Sequence, residues 1–136
     1  MPKLNEYQQR ILAELDEIWE DNVFALLNSI LDPAGEEGEV QAFVEAVASL
    51  IAQDMVILGW ESFYPRNTEL LSKSASTSLA STLSGMFEFK PLQRIWGLRS
   101  GDMKVQRYPI VSVTENGHDW GRGFLNARGF RWWIKD

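Results

Sequence analysis

Residues 38–60, GEVQAFVEAVASLIAQDMVILGW, decide how this chain folds. Val40, Phe43, Val44, Val47, Leu50 and Ile51 recur at spacings of three and four, which places them on one face of a helix over residues 38–54. Beyond Asp54, the residues Met55, Val56, Ile57, Leu58 and Trp60 form a short apolar run of strand-like composition. An amphipathic helix therefore passes into a strand through a single polar residue. A helical face that must be buried beside a short apolar strand points to an α+β domain.

Upstream, residues 5–31 carry a second helical pattern. Tyr7, Ile11, Leu15 and Ile18 share one face, while Glu6, Arg10, Glu14, Glu17 and Asp21 fall on the other. From Val23 the apolar arc widens, and Asp21-Asn22 offers a break that would divide the segment into two helices. Asp32-Pro33-Ala34-Gly35 ends it, because proline disfavours helix in the residue before it.

Downstream, Thr68 could cap a helix beginning at Glu69. Residues 72–84 hold six serines and two threonines, the composition of a flexible insertion, yet Leu79 and Leu83 keep near-helical spacing. The stretch 62–85 reads equally as a mobile loop and as a weak helix. From Met86 the pattern becomes strand-like. Residues 94–99 and 103–108 flank Ser100-Gly101-Asp102, a three-residue connection with a central glycine that suits a β-hairpin. Pro109 bars the next segment from a central strand unless its missing N–H faces outward. Thr114 caps a last helix that should stop at Gly129, and Gly117, Gly121 and Gly123 weaken it by about 1 kcal/mol each. Trp120, Phe124 and Leu125 should hold that helix by packing, and the tail Phe130-Arg131-Trp132-Trp133-Ile134 should dock on the core.

Length and composition agree with one domain over residues 1–136, mostly helical in its first half, with a small antiparallel hairpin or wing and a closing helix in its second. Hydrophobic residues make up 45% and charged residues 24%, which rules out a disordered chain. Cysteine is absent, so thiolate metal sites and a thiol nucleophile are excluded. The polar start MPKLNEYQQR lacks a leader pattern and no apolar run approaches 18 residues, so the expected location is the cytoplasm, with no membrane partner. The net charge of −6 is unevenly shared. Residues 1–62 hold two basic and thirteen acidic groups, while residues 63–136 hold eleven basic and six acidic ones. Two such halves attract each other or face different ways, and the second half alone would attract a polyanion.

Two passages carry a family resemblance. Residues 43–56, FVEAVASLIAQDMV, look like a recognition helix running into the first wing strand. Residues 111–117, VSVTENG, look like the strand and cap that open the helix after the wing. Together they resemble winged helix-turn-helix domains of bacterial regulators, over about half the chain. The resemblance implies a winged-helix-like fold in which residues 62–104 are a large insertion. It also implies DNA binding, but the reading face Gln41, Glu45, Ser49 and Gln53 has no lysine or arginine, and phosphate contacts supply most DNA affinity.

The candidate binding residues are basic. Arg94, Arg99, Lys104 and Arg107 surround the hairpin turn, where they could meet phosphates or simply guard a strand edge. Arg128 and Arg131 stand among Phe130, Trp132 and Trp133, where they could stack on bases or line a protein interface. The acidic run Glu14, Asp16, Glu17, Glu20 and Asp21 reads as a solvated helix face, since no Glu-x-x-His accompanies it. His118, the single histidine, has no serine nucleophile motif to serve, and residues 117–123 lack the spacing of a dinucleotide loop. The expectation is a non-catalytic, cofactor-free module that binds protein or a second copy of itself. The alternative is a DNA-binding regulator that uses the basic hairpin.

Overall fold

The computed structural model describes residues 3–63, 65–99 and 107–134. Asn5 and Gln8 form a reciprocal capping box that starts α1 (Glu6–Ile18), each side chain bonding the other's backbone N–H at 2.9 and 2.7 Å. The first helical segment then breaks. Trp19 turns left-handed at φ 63°, β1 (Glu20–Asn22) comes next, and the Asn22 side chain caps α2 (Val23–Ile30) by accepting from the Ala25 N–H at 2.8 Å. Asn22 is therefore the residue that restarts the helix. α3 (Glu37–Ala52) and β2 (Val56–Phe63) fall where the periodicity of residues 38–60 puts them.

The stretch 62–85 is neither loop nor one helix. Thr68 caps nothing: it lies in β3 (Arg66–Leu70), antiparallel to β2. The helix start is instead Ser72, whose hydroxyl accepts from the Ala75 N–H at 3.1 Å, opening α4 (Lys73–Ala80). A 3-10 turn (Leu83–Met86) leads into β4 (Phe87–Lys90) and β5 (Ile95–Leu98). Ser76 explains why this serine-rich segment folds. β3 ends opposite Gly59, and one residue further out the Leu58 N–H donates to the fully buried Ser76 hydroxyl at 2.9 Å. A strand donor left without a ladder partner is thus satisfied by α4.

The expected hairpin of residues 94–99 with 103–108 falls largely on residues 100–106, Lys104 among them, which lie outside the described residues. Among the described residues β5 pairs with β4, placing Trp96 opposite Phe89 and Leu98 opposite Phe87. The later strand, β6 (Arg107–Val113), pairs with β2 and β1. Trp96 anchors β5 in this place. Asn28 of α2 bonds both its backbone N–H and its C=O, at 2.8 and 2.7 Å, as a neighbouring strand would. Its indole N–H donates to Glu39 of α3 at 3.0 Å, and the residue is 7% exposed.

The main sheet has the order β1-β6-β2-β3, all antiparallel. Pro109 lies in the central strand β6. The β1 pairing stops at Ile110, so that flank has no ladder at Pro109 to interrupt. Val56, Leu58, Val111 and Val113 from the sheet meet Ile11, Leu15, Leu26, Phe43, Val47 and Leu50 from the three N-terminal helices in one core.

Thr114 caps α5 (Glu115–Arg128), accepting from the Gly117 N–H at 3.1 Å and donating to the Asp54 carbonyl at 2.7 Å. Trp120, Phe124 and Leu125 are only half-buried. Trp120 and Phe124 nonetheless pack against the core, as expected, and close backbone approach adds to their hold on the helix. A Cβ on Gly117 would strike the Met55 carbonyl oxygen, and one on Gly121 the Leu12 carbonyl oxygen. Past Gly129, Trp132 and Trp133 dock through their indole N–H groups on the Glu6 carboxylate and the Ser29 carbonyl, at 2.8 and 2.9 Å. Phe130 and Ile134 do not dock, remaining 72% and 50% exposed.

Candidate functional site

The candidate basic residues are spread over three places. Arg94 occupies the turn between β4 and β5 with φ 56°. Arg99, after β5, holds the preceding 3-10 turn by donating to the Gly85 carbonyl at 2.8 Å. Arg107 is exposed on β6, with its guanidinium 4.1 Å from the centre of the Trp60 ring. Lys104 lies outside the described residues.

Arg128 and Arg131 are engaged within the molecule. Arg128 donates to Glu6 at 2.9 Å and Gln9 at 2.8 Å while covering the Trp132 ring. Arg131 grips the Glu14 carboxylate with Nε at 2.8 Å and a terminal nitrogen at 3.2 Å. The charge division seen along the sequence is thus partly closed on itself: cations of the C-terminal segment sit on acids of α1. Glu6 shows the effect on ionisation. Burial raises its pKa, but hydrogen bonds from Trp132, Arg10 and Arg128 and the nearby Arg10 charge outweigh burial and bring it from 4.5 to about 2. Asp21 goes the other way. Burial and the neighbouring Glu61 charge push it above its ordinary value, although the Asn22 N–H opposes them.

The acidic run is not uniformly solvated, which corrects the reading of Asp16. Asp16 is 3% exposed, beneath α5. Arg122 forms an ion pair with its Oδ2 at 2.9 Å. His118 Nε2 lies 2.9 Å from the Asp16 backbone oxygen and 3.4 Å from Oδ1. A carbonyl oxygen only accepts, so Nε2 carries a proton. The imidazole stacks on Trp19 with ring centres 4.0 Å apart and planes 9° apart. Its hydrogen bond runs to the α1 backbone, and no hydroxyl nucleophile is bonded to it among the described residues. Asp16 was detectable in the sequence as the polar member of the Leu12, Leu15 and Trp19 face, a signal outweighed by the acids around it. Among the described residues, no three of His, Asp and Glu converge closely enough to hold a metal.

Two helix faces also stand out among the described residues. One is the outer side of α3, where Glu37, Gln41, Glu45, Ala48 and Ala52 are exposed. Its polar groups bond one another: Gln41 donates to Glu45 at 2.9 Å and Gln53 to Ser49 at 3.1 Å. α4 and the 3-10 turn pack along this helix, leaving a hollow of about 350 Å³ between Glu37, Val40, Phe87 and Arg99. The other is the outer face of α5. There Trp120, Phe124, Gly123 and Ala127 line a shallow apolar hollow of about 400 Å³, with Asn116 and Asp119 at one end. Trp120 and Phe124 pack against the core with one side and line this hollow with the other.

No family model, characterised protein or solved structure matches the chain.

Proposed function

We propose that this chain is a non-catalytic, winged-helix-like module that works by binding protein. The reading is supported by the element order α1-β1-α2-α3-β2-β6-α5 and by the β1-β6-β2 neighbourhood in the sheet. Within that frame β3, α4, β4 and β5 occupy the place of a simple wing. α3 is then the counterpart of a recognition helix. The observation that carries the protein-binding reading is its exposed face, whose own residues include Glu37 and Glu45 and no lysine or arginine, with Arg99 beside Glu37 and Lys73 of the adjoining α4 on the Ala52 carbonyl at 3.2 Å as the neighbouring cations. Carboxylates there repel phosphates, and phosphate neutralisation supplies most non-specific DNA affinity.

A second reading, a DNA-binding regulator, is favoured by one feature. Arg107 is exposed against Trp60 at the start of β6, next to the segment that carries Lys104. Titration of the full chain with random duplex DNA at about 50 and about 200 mM salt separates the two. The expected result is no binding at micromolar protein. Binding that weakens steeply with salt, and is lost on combining Arg99→Ala, Lys104→Ala and Arg107→Ala, would replace the protein-binding reading with the second one.

A further inference from the structure

We infer that β3 is the edge through which two copies of this chain associate, antiparallel and centred on Thr68, so that their main sheets become one. The inference goes beyond the protein-binding reading: β3 and the exposed face of α3 share no residue, and each can fail alone.

The main sheet has two edges, and they are unlike. β1 is three residues long and carries Glu20 and Asp21, a short acidic edge of the kind that resists pairing. β3 is five residues long, pairs with β2 without a bulge, contains no proline and is exposed at every residue. Its two charges, Arg66 and Glu69, are of opposite sign. The backbone decides which of its groups are free. The Leu71 N–H donates to the Leu58 carbonyl at 2.8 Å, and peptide groups alternate in direction along a strand, so Glu69 and Asn67 also face β2. Arg66, Thr68 and Leu70 therefore turn their N–H and C=O groups outward, and no other described residue bonds them. Apart from water, the group that satisfies such a row of donors and acceptors is another extended strand.

The order of residues in β3 selects a second copy as that strand. With a two-fold axis through Thr68, every outward residue meets an outward residue: Thr68 faces Thr68, and Arg66 faces Leu70 at both ends. Each facing pair exchanges two backbone hydrogen bonds, and a slip of two residues loses one of the three pairs within β3. On the other side of the joined sheet, Asn67 of each copy faces Glu69 of the other, where an amide can donate to a carboxylate. The Arg66 stem covers Leu70, which is 50% exposed in the single chain. A parallel pair in register would set Arg66 against Arg66 and Glu69 against Glu69. A strand of five residues is about 17 Å long, so the contact is small and the dimer should be weak and reversible.

Sedimentation of the full chain from about 1 to about 200 µM should show a monomer–dimer equilibrium. As concentration rises, hydrogen exchange should slow at the outward amides of Arg66, Thr68 and Leu70 and stay unchanged at Asn67 and Glu69, which β2 already holds. Thr68→Lys sets like charges face to face across the axis and should weaken association about tenfold or more, with the far-UV spectrum unchanged. Ser78→Lys, exposed on α4, is the matched control and should not weaken it. The chain has no cysteine, so single introduced thiols report the register. Thr68→Cys should cross-link under mild oxidation, since facing residues of a hydrogen-bonded pair lie about 5.5 Å apart at Cα, within disulfide reach. Arg66→Cys should not, because four residues of strand put its two copies about 14 Å apart. A strict monomer throughout the range, equal slowing at alternate amides, a dimer indifferent to Thr68→Lys, or equal cross-linking at both positions would overturn the inference. None of these outcomes bears on the protein-binding reading, which the duplex titration decides separately.

Discussion

Gly121 and Gly123 sit two residues apart in one helix, and the same substitution should change stability in opposite directions. Helix propensity favours alanine at both by about 0.8–1.0 kcal/mol. At Gly123 the new methyl group enters open space, so Gly123→Ala should gain about that amount. At Gly121 it would run into the Leu12 carbonyl oxygen, 2.9 Å from the carbonyl carbon and 3.5 Å from the Ala13 nitrogen. These are backbone atoms of α1, flanked by fully buried Ile11, Leu12 and Leu15, and cannot step aside as a side-chain tip can. Overpacking of this kind costs about 1–3 kcal/mol, leaving a net loss of up to about 2 kcal/mol after the propensity gain. The two variants should therefore differ by about 1–3 kcal/mol, or roughly 3–10 °C in Tm for a domain of this size. Urea and thermal unfolding followed by far-UV circular dichroism would measure this. Equal stabilisation by both substitutions would refute the close seating of α5 on α1.

Three further outcomes are expected. Ser76→Ala leaves the buried Leu58 N–H without a partner, which should cost about 1–3 kcal/mol and speed exchange of that amide in hydrogen-exchange measurements; protection equal to wild type would show that α4 does not supply that acceptor. Glu6 has a folded pKa of about 2, below its ordinary 4.5, so its stabilisation is complete above pH 4.5 and disappears as pH falls towards 2. With the side chain 40% exposed, solvent screening limits it to about 1 kcal/mol, so acid titration of Glu6→Gln should show a small deficit at pH 6 that closes by pH 2. Asp21 has a raised folded pKa, so its charged form opposes folding at neutral pH and that penalty lifts on acidification. Asp21→Asn, which keeps the acceptor for the Asn22 N–H, should raise the urea midpoint at pH 7 and not at low pH; an unchanged midpoint at pH 7 would count against the Glu61 repulsion and burial at this position.

The helix–strand run at residues 38–60, the Asn22 break, the Thr114 cap and the Gly129 stop are all local signals, written within a few residues of the structure they produce. Hydrophobic period and capping chemistry act over one or two turns, and they suffice for the α+β class and the order of its helices. Strand partners are not local. Residues 95–98 pair backwards with β4, where Asn28 and Glu39, far off in the sequence, hold Trp96. The candidate basic residues are equally opaque in one dimension: whether Arg128 and Arg131 face solvent or α1 depends on where the last helix lies.

By itself, then, the amino-acid order determined which segments coil and which extend, and that no thiol chemistry can occur. Only tertiary structure decided that Asp16 is buried beneath Arg122 and His118, that serines of an apparent linker complete a sheet, and that one of three glycines in α5 faces outward. The reason is that periodicity records which residues avoid water, while pairing, close approach and charge neutralisation depend on distances between residues that are tens of positions apart in the chain.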